Sequence, residues 1–436
     1  MLVPAILPAC ADRPQEQSPP TAEAAANLVA EARVAPPTAA SAGRAIYFDQ
    51  NLAINRNQSC EACHGEAWGY TGPETSVNAH GGVYEGSISG RFGNRKPPSA
   101  AYATTSPVFH YDTTRKQYVG GNFWDGRATG KRLGNPAAEQ AQGPPLNPVE
   151  QALRDEACAV YRVRGSGAAA EYRGAFGRGI DRIRFPADIE ALCNTEGAKL
   201  SLPAEVRRQV EAEWDNIARA VAAFEGSPEV NQFSSKYDAY LAGKATLSAE
   251  ERRGLELFQG KARCTTCHTS TGRKPLFTDY TYDNIGVPPN PENPVYQRDP
   301  TFRDEGLGGF LKKSPVLAVG GWEGEVGKMK VPTLRNVNRR PTPDAPKAFM
   351  HNGVFKSLEE VVHFYNTRDV LPRCGASAER SEWGTRCWPA PETPQNMNTT
   401  DLGRMGLSPE DEAALVAFLG TLSDGWMQPA RPPVRP

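Results

Sequence analysis

Cys60-Glu61-Ala62-Cys63-His64 and Cys264-Thr265-Thr266-Cys267-His268 are two copies of one five-residue string, placed in opposite halves of a 436-residue chain. Such a string is a c-type haem attachment site. Its two thiols add to the haem vinyl groups, and the adjacent histidine supplies the proximal nitrogen to iron. A single copy has other readings, a zinc half-site or a redox dithiol. Zinc takes four ligands, and each string offers three in a cramped order. Two copies, each following a short amphipathic stretch, predict two covalently bound c-type haems, held through Cys60, Cys63, Cys264 and Cys267, with His64 and His268 on the irons.

Outward from these strings the two halves repeat a plan. Gly43–Phe48 is amphipathic and precedes the first string; Ser248-Ala-Glu-Glu251 has capping-box spacing, with Leu255 and Phe258 at helical period before the second. A Pro-(Ser/Thr) pair follows each, Pro98-Ser99 and Pro332-Thr333, as one duplicated and diverged unit would show. Helical spacing covers 203–226 and ends at Gly226. Ser357-Leu-Glu-Glu360 opens a helix with Leu358, Val361, Val362 and Tyr365 on one face. A last helix starts at Ser408-Pro409 and turns Leu415, Phe418, Leu419 and Leu422 inward. With 41 Gly and 38 Pro, and no strong strand alternation, residues 65–160 read as irregular. The fold class predicted is mainly α, two cytochrome c-like haem domains with long irregular loops. The first spans 43–235 and the second 236–428.

Balanced charge, 49 Lys+Arg against 50 Asp+Glu, speaks against nucleic acid as a partner. No apolar run reaches 18 residues, so no helix is expected to span a bilayer. Residues 1–10 end in Leu7-Pro-Ala-Cys10, like a lipoprotein signal, and read as an export signal remnant; Cys10 is either a lipid anchor or incidental. Residues 11–42, rich in Ala, Pro, Gln and Glu, read as a flexible linker. Of the nine cysteines, Cys158 with Cys193 and Cys374 with Cys387 are candidate disulfides of an oxidising compartment.

What fills the second face of each iron decides between carrier and enzyme. His80, in a Gly-flanked loop 16 residues past His64, is free to swing or is a surface histidine. His363 lies opposite the apolar face of its helix, and His110 carries no signal beyond aromatic neighbours. For the second iron the candidates are Tyr365, Met350, Met397 and Met405, with Tyr365 otherwise a core tyrosine.

From about Gly43 to Thr421 the chain resembles the bacterial diheme cytochrome c peroxidase superfamily, which includes the MauG-type enzymes. Phe123-Trp124-Asp-Gly-Arg127 matches its inter-haem motif, so the resemblance implies Trp124 between the haems. Gln140-Ala-Gln-Gly-Pro144 and Asn147-Pro-Val-Glu150 match its distal-pocket segment, implying that Gln140, Pro144 and Glu150 line a peroxide site. Val331–Asn336, His351-Asn-Gly and Leu358–Asn366 resemble its second-haem half. The resemblance further implies His80 as a reversible distal ligand of the first iron and Tyr365 as distal ligand of the second, as in MauG-type enzymes, where peroxidases use methionine. It implies a calcium ion between the domains, although Lys96 stands where asparagine is expected and 339–347 carries an insertion; Asn94 could substitute.

The function implied is reduction of hydrogen peroxide with electrons from a small cytochrome c or cupredoxin in the bacterial periplasm. The alternatives are peroxide-driven oxidation of a Trp or Tyr on a partner protein, and a non-enzymatic diheme carrier. A homodimer is common in such proteins.

Overall fold

The computed structural model describes residues 36–427; Cys10, the export segment and most of the expected linker lie outside them. The first helix, α1 (Ala39–Tyr47), begins four residues before Gly43, inside the stretch expected to be linker. The reason is a reciprocal cap: the Thr38 side chain accepts from Ser41 N, and the Ser41 side chain accepts from Thr38 N.

Each half is built on one close helix pair. In the first, α1 crosses α3 (Ala204–Glu225), which ends at Gly226 as its pattern predicts. In the second, α4 (Ala249–Gln259) crosses α6 (Pro409–Gly420). The crossings share a device. A Cβ on Gly43 would lie 1.8 Å from Ala220 O, and one on Gly254 1.9 Å from Ala414 O. Only glycine permits either approach. Separate buried clusters follow, one running from Ala42 to Val230 and the other from Tyr237 to Leu422. The capping box at Ser248 forms, as does one at Ser408 with Asp411.

The stretch 65–160 is less irregular than its Gly and Pro suggest. It holds short helices at Pro136–Ala141 and Gly143–Leu146, and the start of α2 (Glu156–Gly165), whose Asp155 cap accepts from Ala157 N. Sheet is confined, among the described residues, to two antiparallel pairs, His110–Asp112 with Gln117–Val119 and Tyr282–Asp283 with Met329–Lys330. Both candidate disulfides are formed, Cys158–Cys193 inside the first core and Cys374–Cys387 on the second half. No helix of the described residues is long and apolar enough to cross a membrane.

Candidate active site

Each Cys-x-x-Cys-His string borders a large cavity. The first is lined by Cys60, Cys63, His64, Trp124, Gln140, Pro144 and Glu150. The second is lined by Cys264, Cys267, His268, Met350, Tyr365 and Met405. These four thiols are the free cysteines of the described chain. Burial pushes the Cys60, Cys264 and Cys267 thiols up to about 12. A redox dithiol needs the opposite shift. Zinc fares no better, since no three His, Cys, Asp or Glu side chains are grouped around a metal-sized site among the described residues.

Both imidazoles are held alike. Nδ1 of His64 lies 3.2 Å from Tyr70 O, and Nδ1 of His268 lies 2.8 Å from Phe277 O. Burial lowers His64 to about 4 and moves His268 in the same direction, so both rings are neutral. A neutral ring with Nδ1–H given to a carbonyl presents Nε2 as a ligand. Residues and cavities therefore fit two haems.

In the first cavity Asn147 Nδ2 donates to Glu150 Oε1 at 2.8 Å. Burial raises the Glu150 carboxyl above its ordinary range, against the opposing pull of Arg127 and of Asn147. Arg127 also lines this cavity, stacked 3.7 Å over Phe123 and paired with Asp125 at 2.9 Å. Among the described residues, no histidine or methionine besides His64 lines the first cavity.

In the second cavity α5 (Leu358–Thr367) supplies the wall. Ser357 caps it by accepting from Glu360 N at 3.1 Å, and Leu358, Val361, Val362 and Tyr365 all face the cavity, as the helical spacing predicts. Burial pushes the Tyr365 phenol up. Met350 and Met405 share this cavity, whereas Met397 does not line it.

Trp124 borders both cavities and a third that lies between them and also touches His64, Lys330 and Met350. Its indole Nε1 donates to Lys96 O at 2.9 Å, and its carbonyl accepts from Lys330 N at 2.8 Å.

His80 is not brought to the first cavity. Its side chain is 73% exposed, with Nδ1 3.5 Å from Glu292. The cause is tertiary: Gly81 packs on Glu292, Gly82 on Gly353, and Lys356 Nζ donates to His80 O. His110 is exposed. His363 is less solvated than its place opposite the apolar face suggests, with Nδ1 3.0 Å from Glu412 and Nε2 2.7 Å from Gly384 O.

Three side chains at the site went unassigned by sequence. Glu225 lines the first and middle cavities, buried, with Oε2 unpartnered and its carboxyl pushed by burial to about 8. Its signal was available: it follows Val221 by four, on the apolar stripe of α3. Arg127 was quoted only as part of a motif. His351 is buried in the second cavity, its ring 6.3 Å from Trp124.

The region expected to hold calcium is cationic. Lys96 and Lys347 are both buried there, with Arg339 and Arg340 close to Lys347. Asn94 gives its carbonyl to Asn293 Nδ2 at 2.8 Å. These residues do not fit a divalent metal ion.

Two Cys-x-x-Cys-His cavities sharing a tryptophan wall define a diheme c-type protein. The profile of the di-haem cytochrome c peroxidase family matches residues 37–246. The methylamine utilization protein MauG of Paracoccus denitrificans is 32% identical, over 93% of each chain. Cytochrome-c peroxidase IdrP1 of Denitromonas iodatirespirans is 29% identical, over 49% of this chain and 51% of its own. The crystal structure of the diheme peroxidase BthA from Burkholderia thailandensis E264 superposes with a TM-score of 0.68 at 30% identity, covering 89% of this chain and 86% of that one. The chain belongs to the di-haem cytochrome c peroxidase family that includes MauG, a family that carries two c-type haems.

Proposed function

We propose that this protein reduces hydrogen peroxide to water in the periplasm, where members of its family reside, with electrons delivered singly by a small cytochrome c or cupredoxin. The observation that carries the reading is the wall of the first cavity: Glu150, Gln140 and Pro144 line it, with no histidine or methionine besides His64 among the described residues. A carrier needs a strong ligand on both iron faces and has no use for a buried carboxyl there.

Haems bound through Cys60, Cys63 and His64, and through Cys264, Cys267 and His268, supply the redox chemistry. The protein's part is proton handling and positioning. Glu150 Oε1 is engaged by Asn147, which leaves Oε2 for substrate. That oxygen takes the proton from one peroxide oxygen and returns it to the other as the O–O bond breaks. Gln140 orients the peroxide through its amide, and Pro144 keeps that wall apolar. Two electrons and two protons complete the conversion to two waters. The Trp124 ring, pinned by Lys96 O, offers a relay between the cavities. His80 gates the first cavity only if its loop releases Glu292.

Tyr365 in the second cavity favours a second reading. A phenolate ligand lowers an iron potential where a thioether raises it, which suits oxidation of a Trp or Tyr on a partner protein. Mixing the holoprotein with peroxide and reduced cytochrome c or reduced cupredoxin separates the two. Multiple turnovers support the peroxidase. Peroxide-dependent spectral change with neither donor oxidised sinks it.

A further inference from the structure

The junction between the two halves contains a cage of oxygens already filled by a cation of the chain itself. Lys347 Nζ donates to Trp68 O at 3.0 Å, to Asn336 O at 3.0 Å and to Arg339 O at 2.8 Å. Trp68 belongs to the first half and the other two to the second. Three carbonyl acceptors require three N–H donors, and only the ammonium form of lysine has them. Beside it, Lys96 Nζ lies 2.6 Å from Thr71 Oγ1 and 3.2 Å from Pro97 O. The Thr71 hydroxyl spends its own proton on Pro97 O, at 2.6 Å, so toward Lys96 it accepts.

Lys96 is also where the halves meet along the backbone. Its N–H donates to His351 O at 2.7 Å, and its carbonyl holds the Trp124 indole. Burial pulls both ammonium groups down, Lys347 the further because Lys96, Arg340 and Arg339 surround it. The carbonyl cage opposes that pull.

Calcium takes six to eight oxygens at roughly 2.3–2.6 Å, usually carboxylates among them. Here every charged group acting on Lys347 is positive. A dication would have to displace an ammonium from its carbonyls and then sit among like charges. We propose that Lys347 and Lys96 are the resident cations of this junction and take the place of the calcium ion that family resemblance implies. The two halves, and Trp124 between them, are then held without metal.

The holoprotein, purified once with calcium chloride and once with EGTA, tests this. Metal analysis should find far less than one calcium per chain in both. The thermal midpoint and the ferric spin states, read by EPR, should agree. About one calcium per chain, removed by EGTA with a lower midpoint or altered spin state, overturns the proposal. Lys347→Met keeps the bulk and deletes the donors. Its midpoint should fall by roughly 5–10 °C, equally with calcium and with EGTA. A Lys347→Met midpoint equal to wild type overturns the lysine's role even if no calcium is found. If that variant does not fold, the wild-type calcium measurement still decides.

Discussion

Burial raises the Glu150 carboxyl because it lies beside only one full opposite charge, Arg127. Removing its ionisation while keeping its shape isolates its role. Glu150→Gln should lower kcat/KM for peroxide by roughly 10²–10³, with the Soret absorbance per chain unchanged. The sign of its pH effect follows from the raised carboxyl. The base form exists above the shifted value, so activity falls as pH drops through it, and that limb lies higher than an ordinary carboxylate would place it. The Gln variant should lose the limb; a persisting limb assigns the proton to another group, with Glu225 next in line. At the second cavity, Tyr365→Met tests the proposed phenolate ligand by offering a thioether in its place. The potential of that haem should rise by on the order of 100 mV, read in a spectroelectrochemical titration. An unchanged potential removes Tyr365 from the iron and turns attention to Met350 or Met405.

These residues were unequally legible. The attachment cysteines, and Tyr365 on its apolar stripe, are local patterns, so sequence alone placed them. Gln140, Pro144 and Glu150 came through resemblance, since no periodicity marks a loop that lines a cavity. The direction of His80 was not legible, because it depends on what Gly81 and Gly82 pack against, more than 200 residues away. The ammonium cage at Lys347 was hidden for the same reason: its three acceptors are backbone carbonyls, which carry no residue signature.

At the scale of elements, the two Gly-mediated crossings set the spacing on which each cavity depends. The crossing of α1 with α3 anchors the helix that leads into Cys60; that of α4 with α6 does the same for Cys264. A methyl at Gly43 or Gly254 would overlap a backbone carbonyl of the partner helix, which no rotamer change relieves. Gly43→Ala and Gly254→Ala should each destabilise by about 1–3 kcal/mol or more. Because each acts on its own core, Gly43→Ala should loosen the first haem's spectrum and Gly254→Ala the second's. Magnetic circular dichroism distinguishes the two centres; equal damage to both by either variant would contradict independent cores. The helices themselves were readable from caps and periods, but the glycines were not. A glycine in an amphipathic stretch looks like a weakness until its crossing partner is known.

For the whole molecule, the question is what keeps the halves in one register around Trp124. Besides the two lysines, Arg95 spans the junction. It donates to Asp304 Oδ2 and Oδ1, both at 2.6 Å, and to Asp125 Oδ2 at 2.7 Å, next to Trp124 in sequence. All three groups are nearly buried, so deleting the cation strands the Asp304 carboxylate and leaves Asp125 with Arg127 alone. Arg95→Ala should cost about 3–5 kcal/mol, seen as a lower denaturation midpoint. Arg95 holds both carboxyls below their ordinary range against the cost of burial. A folded-state value below the unfolded one contributes stability that is present above the unfolded value near ~4. That contribution is lost as pH falls through the lower folded value. The Arg95→Ala deficit should therefore be constant from neutral pH to about 5 and shrink only in acid, where the wild type loses the same contribution. The functional consequence should run through Trp124. With the register loosened, peroxide should still react at the first cavity, while reduction of the second haem becomes slow to restore the first. Stopped-flow absorbance resolves those phases, and a variant equally slow in its first phase would place Arg95 in the peroxide site instead of between the halves.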